Sequence, residues 1–140
     1  DSYEVISSEK KDISGAAIDQ AELLVSGGRG IKSESDFRML GELAALLGGQ
    51  VAASRPPVDM GWLPHEQQIG QSGTAVKPDH IINVGISGSV QYEVGMQNSG
   101  CIISINHNPD APIFAISNYG VVGDYRSIVP AIIAEVKKRK

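Results

Sequence analysis

The sequence predicts an α/β fold, a three-layer sandwich whose mostly parallel sheet is covered by helices on both faces. Three observations carry this. Strand-length runs that are apolar throughout, rather than alternating, imply burial on both faces, which is the condition of a parallel sheet. Amphipathic segments of helical period separate those runs, as crossover connections require. The glycine, serine and proline clusters "SGGRG", "SRPP", "GISG" and "NYGVVGD" each follow a strand candidate on its C-terminal side. They therefore gather along one edge of the sheet, the carboxyl edge, where such Rossmann-like sheets receive ligands.

Taken in order, Glu22 to Val25 ("ELLV") is a buried strand running into "SGGRG". Ser33 opens a helix, with Asp36 at capping-box spacing and Phe37, Leu40, Leu43, Ala44 and Leu47 on one face. Gly48 and Gly49 end it. "QVAAS", starting at Gln50, is a second strand, and Arg55 to Pro64 is a loop rich in proline and glycine. "HIINVG" from His80 and "CIISIN" from Cys101 are further strands, with "SVQYEVGMQ" from Ser89 as a short helix between them. "PIFAIS" from Pro112 is another strand candidate. A closing helix carries Ile128, Val129, Ile132, Ile133 and Val136 on one side, with Pro130 near its start, where a missing N–H costs little. Residues 1–20 form a lead-in to what is otherwise one domain. A chain opening on Asp1 reads as part of a longer one.

Composition narrows the function. The 140 residues are 41% apolar and 20% charged, the balance of a soluble globular domain with a real core. A net charge of −4 argues against nucleic acid as the main partner, because binding that polyanion needs a basic surface. The tail "KKRK", Lys137 to Lys140, suits the negative end of a helix dipole. The single cysteine, Cys101, rules out an internal disulfide and opens an apolar run, so it reads as a small core residue. No apolar run reaches the ~18 residues of a membrane span.

Catalytic chemistry is hard to place. The acidic residues form no pair assignable to a cleft. His65, His80 and His107 lack metal-binding spacing and read as solvent-facing or turn residues. "GISGS" is not GxSxG, and "GISGSV" is not the GxGxxG of a dinucleotide turn. A binding role fares better. In "NVGISGSVQYEVGM", Asn83 to Met96, the smallest residues stand where a strand hands over to a helix. Successive N–H groups from Ile86 to Ser89 would there face an anion. Arg29 could supply a bidentate charge to a phosphate, and Arg55 could lie over a planar ring. "QIGQSG", Gln68 to Gly73, could collar a polar heterocycle. Each feature taken singly is matched by a plain turn or a surface arginine; their convergence on one edge favours binding.

The ordered motifs "SGGRG", "SRPPVDMGWLP", "QIGQSG", "GISGSVQ", "APIF" and "NYGVVGD" resemble the C-terminal, FAD-binding domain of the electron transfer flavoprotein alpha subunit, from about Ala21 onward. The resemblance implies FAD as cofactor and a beta subunit as partner. It also implies electrons taken from a donor such as an acyl-CoA dehydrogenase and passed to an acceptor such as a quinone reductase, or bifurcated in some members. The bacterial cytoplasm is expected before the mitochondrial matrix. Neither nucleic acid nor membrane insertion is expected. By the same resemblance, Arg29, Ser54 and Arg55 lie on the cofactor, with Ile69, Gly70, Gln71 and Ser72, the last standing for a threonine near flavin N5. Ser87, Gly88, Ser89, Val90 and Gln91 surround the pyrophosphate and ribityl chain. Asn106, Asp124 and Tyr125 hold the adenosine end.

Tyr92 departs from the family, which usually has histidine there, beside the flavin C2 carbonyl. A tyrosine offers only a neutral O–H to the charge of a reduced ring, a deficit of roughly 1.5–3 kcal/mol for one charge-assisted hydrogen bond. Asn118 and Asn108 replace frequent aspartates and receive no role. Two other readings stand beside the carrier: an NAD-binding domain of an α/β enzyme, and a flavin-free relative that kept the fold.

Overall fold

The structure, a computed structural model, describes residues 17–70 and 73–139. A short helix, α1 (Ala17–Gln20), precedes strand β1 (Leu23–Gly27), helix α2 (Glu34–Leu46), strand β2 (Gln50–Ala53) and helix α3 (Arg55–Asp59). A 3₁₀ turn (His65–Gln67) leads to β3 (His80–Val84), α4 (Val90–Met96) and β4 (Cys101–Asn106). A second 3₁₀ turn (Pro112–Ile116), β5 (Tyr119–Val122) and α5 (Tyr125–Arg139) complete the order.

The five strands pair in the order β2-β1-β3-β4-β5, every pairing parallel. Successive connections run outward from β1 in one direction and from β3 in the other, so the order reverses between β1 and β3. That reversal parts the loops after these two strands and leaves a crevice between them. Alternate side chains feed two cores. Val25, Ile82, Val84 and Ile105 pack with Phe37, Leu40 and Leu43 of α2 and Val129 and Ile133 of α5. Leu24, Ile81 and Ile102 pack on the other face with Ile18 of α1, Tyr92 and Met96 of α4, and Ile113. The helical faces expected for α2 and α5 are the ones that are buried.

Four expectations need correction. "PIFAIS" is a 3₁₀ turn, and the fifth strand is instead "YGVV", part of the expected turn cluster "NYGVVGD". Pro112 starts the turn, where its missing N–H costs nothing. Asn118 then starts β5 by clasping β4: its N–H donates to Ile102 O, and its Oδ1 accepts from Ile102 N at 2.7 Å. The proline-rich loop opens with a helical turn, α3, because Pro56 and Pro57 sit in its first turn, where no N–H partner exists. Pro130 lies inside α5, not near its start, because Asp124 begins the helix earlier by accepting from Arg126 N at 2.9 Å. Cys101 is half-buried rather than a core residue.

The strands are also less apolar than they read. Ser26, Asn83 and Ser104 are each fully buried, and the strand register places them side by side across β1, β3 and β4. This polar row lies on the α4 face, one step below the carboxyl edge.

Candidate functional site

The loops after β1, β2, β3 and β4 and the first turn of α5 enclose one cleft of about 1340 Å³ along the carboxyl edge. Arg29, Ser54, Arg55, Ile69, Gly70, Ser87, Gly88, Ser89, Gln91, Tyr92, Asn106, Asp124 and Tyr125 all line it. Val90 does not, and the residue is 72% exposed. Gln71 and Ser72 lie outside the described residues. Lys32 and His107 also line the cleft, and sequence reasoning gave neither a role there. His107 is exposed, as expected, yet its position just past the end of β4 puts it on the same edge.

The loop from Gly85 to Ser89 is the centre of the site. Its carbonyls are held inward: Asn106 Nδ2 donates to Ile86 O at 3.0 Å, and Ile113 N donates to Ser87 O at 2.7 Å. The N–H groups of Ile86, Ser87, Gly88 and Ser89 donate to no group among the described residues. Buried N–H groups without acceptors are rare, and Ile86 and Gly88 are both buried. A row of such donors at one turn suits an anion.

The glycines have a second explanation that the sequence could not supply. Gly88 has φ +97, and a Cβ on it would stand 2.8 Å from Ile113 N. Gly85 has φ +67 and packs directly on the Gly30 backbone. Left-handed backbone and loop-on-loop packing therefore demand these glycines, whatever the cleft holds. They shape the donor row; they are not needed merely to let a ligand approach.

Three expected contacts spend their polar atoms inside the protein. Tyr92 is the clearest. Its hydroxyl is 2.6 Å from Asn83 Oδ1 and 2.9 Å from Ser26 Oγ. A phenol has one proton, and an amide oxygen only accepts, so Tyr92 donates to Asn83 and Ser26 donates to Tyr92. Burial pushes the phenol far above its ordinary range, with the Ser26 contact a smaller opposing influence. The expected O–H beside a flavin carbonyl is thus turned into the sheet, because the polar row below needs it. Asn106 is similar: beyond Ile86 O, its Oδ1 accepts from Asn108 N at 2.9 Å.

Tyr125 Oη accepts from Lys32 N at 2.9 Å and donates to Asp36 Oδ2 at 2.6 Å. Arg126 Nε reaches the same carboxylate oxygen at 2.8 Å. The Tyr125 and Arg126 hydrogen bonds hold the Asp36 carboxyl below the usual carboxylate range. Burial first, and Asp36 second, push the Tyr125 phenol up. Ser33 Oγ accepts from Asp36 N at 3.2 Å, as a capping box requires, but the Asp36 carboxylate is committed to α5. The result ties the β1–α2 loop, which carries Arg29, to the start of α5.

The charged residues lining the cleft are three cations, Arg29, Lys32 and Arg55, and two carboxylates, Asp59 and Asp124. Arg29 and Lys32 make no ion pair among the described residues, while Arg55 Nε is 3.2 Å from Asp59 Oδ2 in an exposed pair of small energetic weight. Among the described residues no group of three or more His, Cys, Asp or Glu could hold a metal ion, and no helix is long and apolar enough to cross a membrane.

A parallel sheet reversing at β1/β3, with a basic, N–H-lined cleft over the reversal, defines a doubly wound α/β domain. Residues 17–97 match the family model described as "Electron transfer flavoprotein FAD-binding domain". The chain belongs to that family. It is 47% identical over 135 residues to the electron transfer flavoprotein subunit alpha of Thermoanaerobacterium thermosaccharolyticum, covering 96% of this chain and 40% of that protein. It is 46% identical over 134 residues to the mitochondrial alpha subunit of Dictyostelium discoideum, covering 96% of this chain and 38% of that one. The lactate dehydrogenase (NAD(+),ferredoxin) subunit LctC of Acetobacterium woodii is 46% identical over 134 residues, with 96% of this chain and 31% of that protein covered. The chain thus spans at most about 40% of the length of these relatives.

Proposed function

We propose that this chain is the FAD-holding part of an electron carrier's alpha subunit. The observation that carries the proposal is the row of N–H groups from Ile86 to Ser89, without acceptors among the described residues, in a cleft with Arg29, Lys32 and Arg55. A diphosphate matches that donor set in charge and in number of acceptor oxygens. Asn106 and Ile113 keep the loop carbonyls turned away from the anion, which would otherwise meet their negative ends. Arg29 sits on the loop braced by Tyr125, so its guanidinium is presented from a fixed backbone.

The bound flavin would supply two-electron acceptance and one-electron release, and the protein contributes binding, orientation and electrostatics. Arg55, at the start of α3, stands where a cation can lie along the ring or answer negative charge on it. Ser54, which makes no side-chain cap to α3, keeps its hydroxyl for the cleft. Ile69 and Gly70 form the facing wall, on the segment continuous with Gln71 and Ser72. The donor is a flavin dehydrogenase of the acyl-CoA class or similar, the acceptor a quinone reductase or equivalent, and a beta subunit completes the site.

The test is the visible spectrum of the full-length protein purified with its partner subunit. Oxidised-flavin absorbance, released as FAD on denaturation, is the expected result. A colourless complex that binds NAD would overturn it.

A further inference from the structure

Beneath the donor row runs a hydrogen-bond chain with one direction throughout. Ser26 donates to Tyr92, Tyr92 to Asn83 Oδ1, and Asn83 Nδ2 to Ser104 Oγ at 3.3 Å. Ser104 and Ser117 lie 2.7 Å apart, and Ser117 Oγ donates to Ile113 O at 2.7 Å. Since Ser117 spends its proton on Ile113, Ser104 is the donor between the two serines. Every hydroxyl proton in the chain is used.

From Tyr92 to Ile113 this chain forms a brace, and both ends of the brace return to the loop above it. Tyr92 N donates to Ser89 Oγ at 3.2 Å, and Ile113 N donates to Ser87 O at 2.7 Å. The circuit therefore closes: Ser87 and Ser89 are each tied to one end of a brace that crosses β3 and β4 under the sheet edge. Gly88, between them, rests on Ile113 and cannot move toward it.

We infer that Tyr92 is a positioning residue: its buried hydroxyl, through Asn83, Ser104 and Ser117, sets the spacing of the loop ends that aim the Ser87–Ser89 donors. This rests on the reading of that loop as the diphosphate site. Cutting the brace at either end loosens the donor row. An incoming anion must then order the loop itself, at a cost in affinity. A residue that only adds stability would leave affinity unchanged at temperatures well below unfolding.

The experiment uses the full-length protein with its partner subunit. Tyr92→Phe and Ser117→Ala are each expected to raise the FAD dissociation constant about tenfold, read by flavin fluorescence, which is the loss of one net hydrogen bond. Ser117→Thr, which keeps the hydroxyl at a half-buried position, restores wild-type affinity. Ile133→Val, in the core on the opposite face, lowers the melting temperature without moving the dissociation constant. In the flavin-free protein, amide exchange at Ile113 N–H, normalised to α2 amides, is expected to accelerate in Tyr92→Phe and Ser117→Ala. Unchanged affinity in both, or unchanged Ile113 exchange, overturns the inference. If the wild-type protein binds no FAD, the diphosphate reading falls by itself, and the exchange measurement still decides the brace.

Discussion

Gly88→Ala tests whether the floor under the donor row is as rigid as its packing implies. An alanine at φ +97 carries roughly 1–2 kcal/mol of backbone strain. Its methyl would also stand 2.8 Å from Ile113 N, 2.9 Å from Ile113 Cα and 3.0 Å from Ile113 Cβ, and Ile113 is fully buried. Ile113 cannot withdraw without stretching its 2.7 Å bond to Ser87 O. Relieving the overlap costs about 1–3 kcal/mol more, by the usual penalty for an overpacked core. The sum is about 2–5 kcal/mol, a large part of the stability of a domain this size.

Gly61→Ala is the matched control: φ there is +82, but nothing lies within 4 Å of an added Cβ. It should lose only the strain, about 1–2 kcal/mol. Chemical denaturation of both variants separates the two contributions. Gly88→Ala should also weaken FAD binding, and Gly61→Ala should not. Equal destabilisation by the two substitutions would refute Ile113 as a fixed wall and remove the argument that the loop is held from below.

Arg29→Ala and Arg55→Ala should each raise the FAD dissociation constant by roughly tenfold, the worth of one charge-assisted contact, with the larger effects at low salt. Both side chains are exposed, so the melting temperature should stay within about a degree. Asp36 has a folded-state pKa below its unfolded value, so its contribution is fully present above that unfolded value and is lost as pH falls through the folded one. Acid denaturation of Asp36→Asn should accordingly show a shallower loss of stability below about pH 4 than wild type. Tyr92 ionises in the folded state only far above the ordinary phenol pKa, which favours unfolding as pH rises past about 10. A spectrophotometric alkaline titration should find its absorbance change coincident with unfolding, and removed in Tyr92→Phe.

Much of this molecule was legible from local pattern. β1 to β4, the apolar faces of α2 and α5, and the glycine-rich turns on one edge follow from periodicity and punctuation, because burial on both sides of a parallel sheet leaves unbroken apolar runs. "PIFAIS" and "YGVV" show where that reasoning stops. Both are short and rich in β-branched or aromatic residues, and such runs do not identify themselves. Position decided between them: Asn118 hands its backbone and side chain to Ile102, and only the segment after it can run alongside β4.

The residues alone carried the class of the domain, the edge along which the cleft lies, and about half of the residues that line it. Tertiary structure alone decided what those residues do. Ser26, Asn83 and Ser104 are far apart along the chain and become neighbours only through strand register. Once they are buried side by side, their polar atoms must be satisfied, and that requirement turns the Tyr92 hydroxyl away from the cleft. Local pattern records which side chains prefer burial. Which buried polar group meets which partner depends on the packing of the whole sheet.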